Sequence, residues 1–359
     1  MIKKSTFLFI LPITSLFFAY ILFWPIGFDV PKFVPKAAPE LKGVLAPKSD
    51  LGNISTIKIG FGPEDVVFDK KGLMYSGLAS GQVIRHSPLS GLTEEWVNTG
   101  GRPLGLAFDH QGNLVVADAK KGLLSITKNG QITTLASAIN GVPFKFIDDL
   151  AIAKNGVIYF VDSSRHYSIE DDYILDSFMD GRPLGRLLSY DPHSRKVDVI
   201  RDKLFFPNGI TMSHDGSAVL VSEMMSYRIL RIIINGSQKG KTSIFADNLP
   251  GFPNNIIRSS GNSYWLALSA PRNPDVENLQ TNPFIRKILM RLPKGLLSHP
   301  KPVKYGFIIK LNHRGEIIRS IQDPSGEHAF MLTSASEYQG NLYLGSIGSS
   351  AIKKMSLKH

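Results

Sequence analysis

Acidic and amide side chains occur in four short segments of the sequence, each followed by a glycine at nearly the same distance. Glu64, Asp148 and Asn208 each lie eight residues before Gly72, Gly156 and Gly216, and Asn254 lies seven before Gly261. Equal distances to equivalent turns predict equivalent positions in a repeated fold. Two carboxylates and two amides supply the oxygen ligands that Ca²⁺ or another hard divalent cation prefers. The sequence therefore predicts a cation site at Glu64, Asp148, Asn208 and Asn254, although each segment alone is typical of a turn or cap.

The glycines belong to a longer pattern that predicts the fold. Six segments share a turn ending in glycine followed by β-forming residues, and their glycines are Gly72, Gly112, Gly156, Gly216, Gly261 and Gly340. A four-stranded propeller blade takes roughly 40–50 residues, and three of the five spacings fit that length. The pattern predicts an all-β fold, a six-bladed β-propeller with insertions at 164–185 and 271–305, where the spacing is longer.

The two insertions carry further candidate residues. Tyr167, Tyr173 and Phe178 of the first insertion are predicted to shape an apolar substrate pocket. In the second insertion, apolar residues recur at helical spacing between basic ones, which predicts a short amphipathic helix. A solvated basic helix packed on the ring and a membrane-facing lid formed by 285–296 are the two alternatives for that helix.

An uncharged apolar run precedes the repeats. Residues 7–24 follow Lys3 and Lys4 and are numerous enough to cross a bilayer, so the sequence predicts a signal-anchor with a cytoplasmic N-terminus. A cleaved signal peptide is the alternative. We predict a cytoplasmic stub and transmembrane segment at 1–26, a stiff, extended Pro-rich linker at 27–52, and a propeller at 53–359. The propeller is then on the non-cytoplasmic side, in a periplasm, a lumen or the extracellular space.

Composition and absent motifs exclude several classes of site. The 359-residue chain has no cysteine, so it has no disulfide, thiolate metal site or cysteine nucleophile. Its net charge of +11 suits an anionic membrane surface or an acidic ligand, and no motif supports nucleic-acid binding. The G-x-S-x-G, H-E-x-x-H and G-x-G-x-x-G motifs are absent.

From about residue 57 onward, the chain resembles the strictosidine synthase-like/SMP-30 gluconolactonase superfamily of six-bladed propellers. The resemblance rests on Gly62-Pro-Glu-Asp, Phe206-Pro-Asn-Gly, Leu249-Pro-Gly-Phe-Pro-Asn-Asn-Ile and Asn341-Leu-Tyr-Leu-Gly-Ser. It is strongest with the adipocyte plasma membrane-associated protein type, which also carries one N-terminal anchor. Members include Ca²⁺-dependent lactonases and arylesterases, so the resemblance implies a small-molecule apolar ester or lactone as substrate.

The resemblance also implies roles for single residues. Glu64 and Asn208 correspond to metal ligands of the hydrolytic members, whereas Asp148 replaces a usual Asn and Asn254 a usual Asp. Asn255 is expected to add an oxygen. Asp65 and Asp149 correspond to a second, structural calcium site of paraoxonase-like propellers, with paired surface acids as the alternative.

Two functions follow from these correspondences. The first is a membrane-anchored Ca²⁺-dependent hydrolase of lactones or aryl esters in which Asp148 and Glu64 are the catalytic residues. An amide at position 254 cannot accept the proton of the attacking water, so that role passes to Asp148. The segment Thr333-Ser-Ala-Ser-Glu337 lacks the acid that relatives place in a Ser-Glu-Val sequence. The resemblance therefore does not imply strictosidine synthase activity. The second function is a non-catalytic, membrane-tethered ligand-binding or scaffold propeller.

Overall fold

Each of the six glycine turns connects the first two strands of a four-stranded antiparallel sheet. The turn glycines have φ between +68° and +86°, a left-handed conformation that glycine adopts without a Cβ penalty. The computed structural model describes residues 4–52, 54–171, 173–293 and 303–357. Its six four-stranded sheets confirm the six-bladed β-propeller.

The first three blades follow one another along the chain. Blade I contains β2 (Val67–Phe68), β3 (Met74–Gly77), β4 (Gln82–His86) and β5 (Thr93–Asn98). Blade II contains β6 (Pro103–Phe108), β7 (Leu114–Asp118), β8 (Gly122–Ile126) and β9 (Ile132–Ala136), followed by a hairpin of β10 (Ala138–Ile139) and β11 (Val142–Pro143). Blade III contains β12 (Ile147–Ile152), β13 (Ile158–Asp162), β14 (Gly185–Asp191) and β15 (Lys196–Leu204).

The last three blades complete the ring. Blade IV contains β16 (Pro207–Met212), β17 (Ala218–Glu223), β18 (Arg228–Ile233) and β19 (Thr242–Ala246). Blade V contains β20 (Gly251–Ser259), β21 (Ser263–Pro271), β22 (Gly306–Leu311) and β23 (Ile317–Asp323). Blade VI contains β24 (Leu332–Tyr338), β25 (Asn341–Ser346), β26 (Ala351–Ser356) and β1 (Ser55–Lys58). Because β1 pairs with β26, the two ends of the propeller chain close the ring within one sheet.

Burial differs between the strands of a blade. The second strands β7, β13 and β17 are buried along their whole length, whereas the fourth strand β5 is largely exposed. Strands covered on both faces need continuous runs of apolar, mostly β-branched residues. The runs after each turn glycine supply them, and they form the core between neighbouring blades.

Both predicted insertions contain helices and connect the second and third strands of their blades. The first contains α2 (Tyr173–Asp180), between β13 and β14, and the second contains α3 (Pro274–Thr281) and α4 (Pro283–Leu289), between β21 and β22. Equivalent connections emerge on the same face of a propeller, so the three helices lie together, and α2 contacts both α3 and α4. We call α2, α3 and α4 the lid. Residues 294–302 of the second insertion lie outside the described residues.

Short 3₁₀ helices occur at three further places in the described chain. They span Gly43–Leu45, Met224–Ser226 and Gly236–Gln238. The last of these lies in the connection between β18 and β19, so the glycine- and lysine-rich segment 236–242 forms a hairpin connection.

The Pro-rich segment after the N-terminal helix is packed against the propeller. We call residues 25–52 the strap. The Phe33 N–H donates to Gln280 O at 3.1 Å, and Lys36 pairs with Asp247 at 2.6 Å. Ser320 Oγ donates to the carbonyl of Val44 at 2.6 Å. The composition of the strap predicts an extended spacer, and the strap is indeed largely without regular structure. Its hydrogen bonds and its ion pair, however, hold it against blades IV and V and their connections.

The predicted anchor at 7–24 falls mainly in α1 (Lys4–Phe23), which contains Pro12. Within the part of the chain that the structure describes, no helix combines the length and apolar character needed to cross a membrane. The side chains of residues 4–11 and 13 lie outside that part. The single-pass topology therefore stays a prediction.

Candidate cation and substrate site

Three of the four acid and amide residues lie at irregularities in the first strands of their blades, and Glu64 lies just before β2. In β12, β16 and β20 one extra residue is inserted relative to the paired second strand, at Asp148, Asn208 and Asn254 respectively. Such a bulge changes the direction of the side chains beside it. The first strands of blades II to VI also contact one another around the ring. The bulges therefore direct polar side chains from several blades toward a common region.

All four predicted ligands line one cavity of about 550 Å³. Each blade contributes one residue seven or eight positions before its turn glycine, and these six are Glu64, Leu104, Asp148, Asn208, Asn254 and Thr333. We call them the ring residues. The constant offset in the sequence thus corresponds to a shared position in space. The structure places the four oxygen-bearing residues in the same cavity, as their spacing predicts.

Several oxygens at the ring are buried without a hydrogen-bond partner. Asn255 Nδ2 donates to Glu64 Oε1 at 3.0 Å, but Glu64 Oε2, Asn208 Oδ1 and Asn255 Oδ1 have no hydrogen-bond partner among the described residues. A buried polar atom without a partner costs about 1–3 kcal/mol. Three such oxygens at one site fit a bound cation, which would satisfy them together.

Burial and mutual repulsion perturb the acids of this region. Burial raises the pKa of Glu64 well above its usual value, and the charges of Asp65, Asp148 and Asp149 raise it further. Burial also raises the pKa of Asp148 to about 7 and that of Asp65 to about 6. Four acids so close together favour a compensating positive charge, because a divalent cation stabilises their ionised forms.

The donor set is oxygen-rich and amide-containing. Among the described residues, no group of three or more His, Cys, Asp and Glu side chains is arranged to hold a metal ion. The ring instead combines two carboxylates with two amides, and Asn255 adds a third amide oxygen. Carboxylate and amide oxygens suit Ca²⁺ better than a transition metal. The residues present fit a hard divalent cation.

Asp65 and Asp149 are buried and bind backbone amides, so they are not paired surface acids. Each carboxylate accepts a hydrogen bond from the next residue of its own chain segment and one from the first strand of the following blade. The donors are Val66 at 2.7 Å and Leu106 at 3.1 Å for Asp65, and Leu150 at 2.7 Å and Ile210 at 2.8 Å for Asp149. These bonds connect blade I to blade II and blade III to blade IV. A structural cation at these two acids stays a prediction.

Neighbouring blades approach so closely at the site that only glycine fits. A Cβ on Gly105 would lie 2.6 Å from Asp149 Cα, and a Cβ on Gly209 would lie 2.5 Å from Asn255 Cα. Distances below 3.0 Å require one of the two backbones to move. The two glycines therefore set how closely the ring residues converge.

The lid and the inner blade ends form an apolar wall around the cavity. Phe178 lines it, together with Leu175 and Met179 of α2 and with Val276 and Leu279 of α3. Spacings of three and four residues within each helix place these side chains on one face.

The two predicted pocket tyrosines differ from Phe178. Tyr167 is absent from the described cavity lining, and its hydroxyl donates to the buried Asp180 at 3.0 Å. The aromatic composition of the insertion could not distinguish the two environments. The side chain of Tyr173 lies outside the described residues.

A buried arginine joins the lid to the strap. Arg286 is only 1% exposed and donates to the carbonyls of Phe178 at 3.2 Å, Met179 at 3.3 Å and Gln280 at 3.3 Å. It also donates to the carbonyl of Pro31 in the strap. Arg286 therefore does not belong to an exposed basic surface, although its neighbours in the sequence suggested one.

Sequence reasoning did not identify Arg102 as a site residue. Its side chain lines the cavity and is 8% exposed. Its positive charge lowers the pKa of both Glu64 and Asp148, against the larger effect of burial. The segment 101–105 has no oxygen-bearing side chain at the ring position, so no cation-ligand pattern in the sequence points to the arginine two residues earlier.

Comparisons with known sequences agree with this architecture. The strictosidine synthase family profile matches residues 148–237, and the profile of the strictosidine synthase-like N-terminal region matches residues 43–86. The adipocyte plasma membrane-associated protein of Rattus norvegicus is 33% identical over 354 residues, covering 92% of this chain and 93% of that protein. Strictosidine synthase-like protein 4 of Arabidopsis thaliana is 35% identical over 304 residues, covering 82% and 79%.

Solved structures share the fold at low sequence identity. A gluconolactonase from Xanthomonas campestris superposes with a TM-score of 0.63 at 16% identity, covering 93% of this chain and 99% of that one. Regucalcin from Agrobacterium tumefaciens, described as a calcium-binding protein, has a TM-score of 0.57 at 13% identity and covers 84% and 90%. These structural similarities support the fold, and the sequence relatives establish the family. The chain belongs to the strictosidine synthase-like family, together with the adipocyte plasma membrane-associated proteins.

Proposed function

We propose that this protein is a Ca²⁺-dependent hydrolase of lactones or aryl esters, held at a membrane by its N-terminal segment. The observation that carries the proposal is the convergence of Glu64, Asp148, Asn208 and Asn254 on one cavity, with unpartnered buried oxygens beside an apolar wall. Two structural neighbours, described as a gluconolactonase and as a calcium-binding regucalcin, also support a cation-dependent hydrolase.

The ring residues have distinct roles in this proposal. Glu64, Asp148, Asn208 and Asn254 hold the ion, and Asn255 orients Glu64 through their 3.0 Å hydrogen bond. Bound Ca²⁺ supplies Lewis-acid polarisation of the substrate carbonyl and stabilises negative charge on its oxygen.

Asp148 is the group that accepts a proton from the attacking water. Its Oδ2 accepts a hydrogen bond from Ser163 at 2.9 Å, which fixes the carboxylate at the cavity. The amide of Asn254 cannot take a proton. The apolar wall below the lid binds the rest of the ester and excludes bulk water.

The end of α1 and the lid support a membrane contact through 7–24 and 285–296. Arg291, two residues after α4, donates to the carbonyls of Trp24 at 2.7 Å and Ile21 at 2.8 Å, so the chain that follows α4 lies beside the end of α1. Phe284, on α4, is 57% exposed, and exposed aromatic residues near basic ones favour an interface with lipid. Residues 294–296 of this surface lie outside the described residues. The propeller is then on the non-cytoplasmic side.

Hydrolysis of a lactone and of phenyl acetate tests the proposal. We expect the full chain to hydrolyse at least one of them, to lose the activity with a chelator and to regain it with added Ca²⁺. Glu64→Gln is expected to abolish this Ca²⁺-restored activity, and Glu327→Gln, a charge-matched change at an exposed residue, to preserve it. Activity that survives both the chelator and Glu64→Gln would disprove the metal mechanism. A tightly bound ion without hydrolysis of either substrate would favour the ligand-binding alternative.

A further inference from the structure

The cavity contains one basic side chain among its described lining residues, and that side chain is Arg102. Its backbone N–H donates to the buried Asp118 carboxylate at 2.9 Å, which fixes the start of β6. Arg102 lines the same cavity as Glu64 and Asp148. An arginine fork is suited to a carboxylate because it can donate two parallel hydrogen bonds.

The charge of the cavity depends on the cation. Without a cation, Arg102 is the one positive charge beside the two acids Glu64 and Asp148 among the described lining residues. A divalent ion would add two positive charges to that of Arg102 and so favour an anion at the same end of the cavity. Anion binding and cation binding are therefore linked, and each should strengthen the other by the same factor.

The remainder of the cavity is suited to a hydrocarbon tail. Phe146, Phe206, Met224 and Phe252 form an apolar lining beside the ring residues, of which Leu104 is itself apolar. A polar ligand with many hydroxyl groups would leave those groups without partners against this wall. The cavity thus has a charged end at the ring and an apolar end below the lid.

We propose that the cation and Arg102 together bind the carboxylate of a medium- or long-chain fatty-acid-like ligand, with its tail against the apolar wall. This inference rests on the cation site of the proposed function. It extends that function, because hydrolysis of an aliphatic lactone or ester releases a carboxylate of this class. The hydrolysis product is therefore held in the site and inhibits further turnover until it leaves.

The linkage can be measured without turnover. Isothermal titration calorimetry measures Ca²⁺ binding to the full chain in a non-ionic detergent. The titration is done with octanoate, with octanol and without either, and each condition has a blank titration without protein. We expect octanoate to tighten Ca²⁺ binding by about tenfold or more, since a hydrogen-bonded charge pair at a desolvated site contributes on this scale. Octanol carries the same tail without the charge and should have little effect.

Variants at position 102 assign the effect to the guanidinium. Arg102→Gln should bind Ca²⁺ at least as tightly as the wild type but lose the octanoate effect, and Arg102→Lys should retain part of it. Arg165→Gln removes a positive charge from the exposed part of the same face and should behave as the wild type. Thermal unfolding with Ca²⁺ verifies that each variant is folded.

Three results would overturn the inference. These are an octanol effect equal to that of octanoate, an octanoate effect that survives Arg102→Gln, and failure of the wild-type chain to bind Ca²⁺. Linkage without hydrolysis of any ester would instead leave this inference standing and reject the proposed hydrolase. Ca²⁺-dependent hydrolysis without an octanoate effect on Ca²⁺ binding would support the proposed hydrolase and reject this inference.

Discussion

Removal of the Arg286 guanidinium should open the lid and loosen the strap together. In Arg286→Met the carbonyls of Phe178, Met179, Gln280 and Pro31 lose their shared donor. Three of these hydrogen bonds are 3.2–3.3 Å long and individually weak, and loss of the buried charge returns some desolvation energy. If two of the carbonyls stay unsatisfied in the closed lid, the cost is about 3 kcal/mol.

This free-energy cost predicts a measurable increase in the rate of amide hydrogen exchange. About 3 kcal/mol corresponds to roughly a hundredfold increase in the population of the open lid. Hydrogen exchange followed by mass spectrometry should show that increase in peptides from α2, α3 and the strap. The second strands of the blades should exchange at the wild-type rate, because Arg286 does not contact them. Lys287→Gln on the same helix serves as the charge-matched control.

The pattern of exchange tests the reasoning. If peptides of α2 and α3 exchange faster but those of the strap do not, Arg286 does not connect the two. If neither changes, the hydrogen bonds of Arg286 contribute nothing to lid closure. Faster exchange throughout the blades would mean that the arginine supports the whole fold.

Three further predictions concern the ring. Burial raises the pKa of Asp148 to about 7, so the Ca²⁺-free protein should lose stability as pH rises from about 4 to about 7, where only the unfolded chain readily ionises this group. Thermal unfolding in metal-free buffers should show this loss, Asp148→Asn should reduce it, and an unchanged profile in that variant would contradict the assignment. Gly209→Ala should lower the calorimetric Ca²⁺ affinity and cost about 1–3 kcal/mol of stability, because its Cβ would lie 2.5 Å from the backbone of blade V. Gly52→Ala, whose nearest contact is 3.7 Å away, should change neither quantity, and an effect of equal size there would refute the steric argument. Asn254→Asp adds a carboxylate and should tighten Ca²⁺ binding; unchanged affinity would show that residue 254 is not a ligand.

The propeller and the ring could be predicted from local signals. Turn glycines need no distant partner, since a left-handed φ depends on the residue itself, and the runs after them indicate buried strands. Glu64, Asp148, Asn208 and Asn254 could be grouped because a repeated fold converts equal sequence offsets into equal positions. Leu104 and Thr333 line the cavity at the same offset, so the offset indicates a position in the ring but not by itself a cation ligand.

Other residues acquired their roles through distant contacts. Tyr167 and Phe178 belong to one aromatic insertion, yet one binds Asp180 and the other lines the cavity. Arg286 lies in a basic segment that suggested an exposed face, but it is buried by carbonyls from α2, α3 and the strap. Arg102 has no sequence signal of its own, because its importance comes from the acids that neighbouring blades bring close to it.

The amino-acid sequence by itself determined the number of blades, the places of the two insertions and the set of oxygen donors available for a cation. Tertiary structure alone decided which donors are left unsatisfied, which arginines are buried, and that the strap packs against the propeller and lid. The physical reason is that turns and strands depend on residues close in the chain. Desolvation, charge compensation and the closing of a cavity depend instead on groups that only the closed ring brings together.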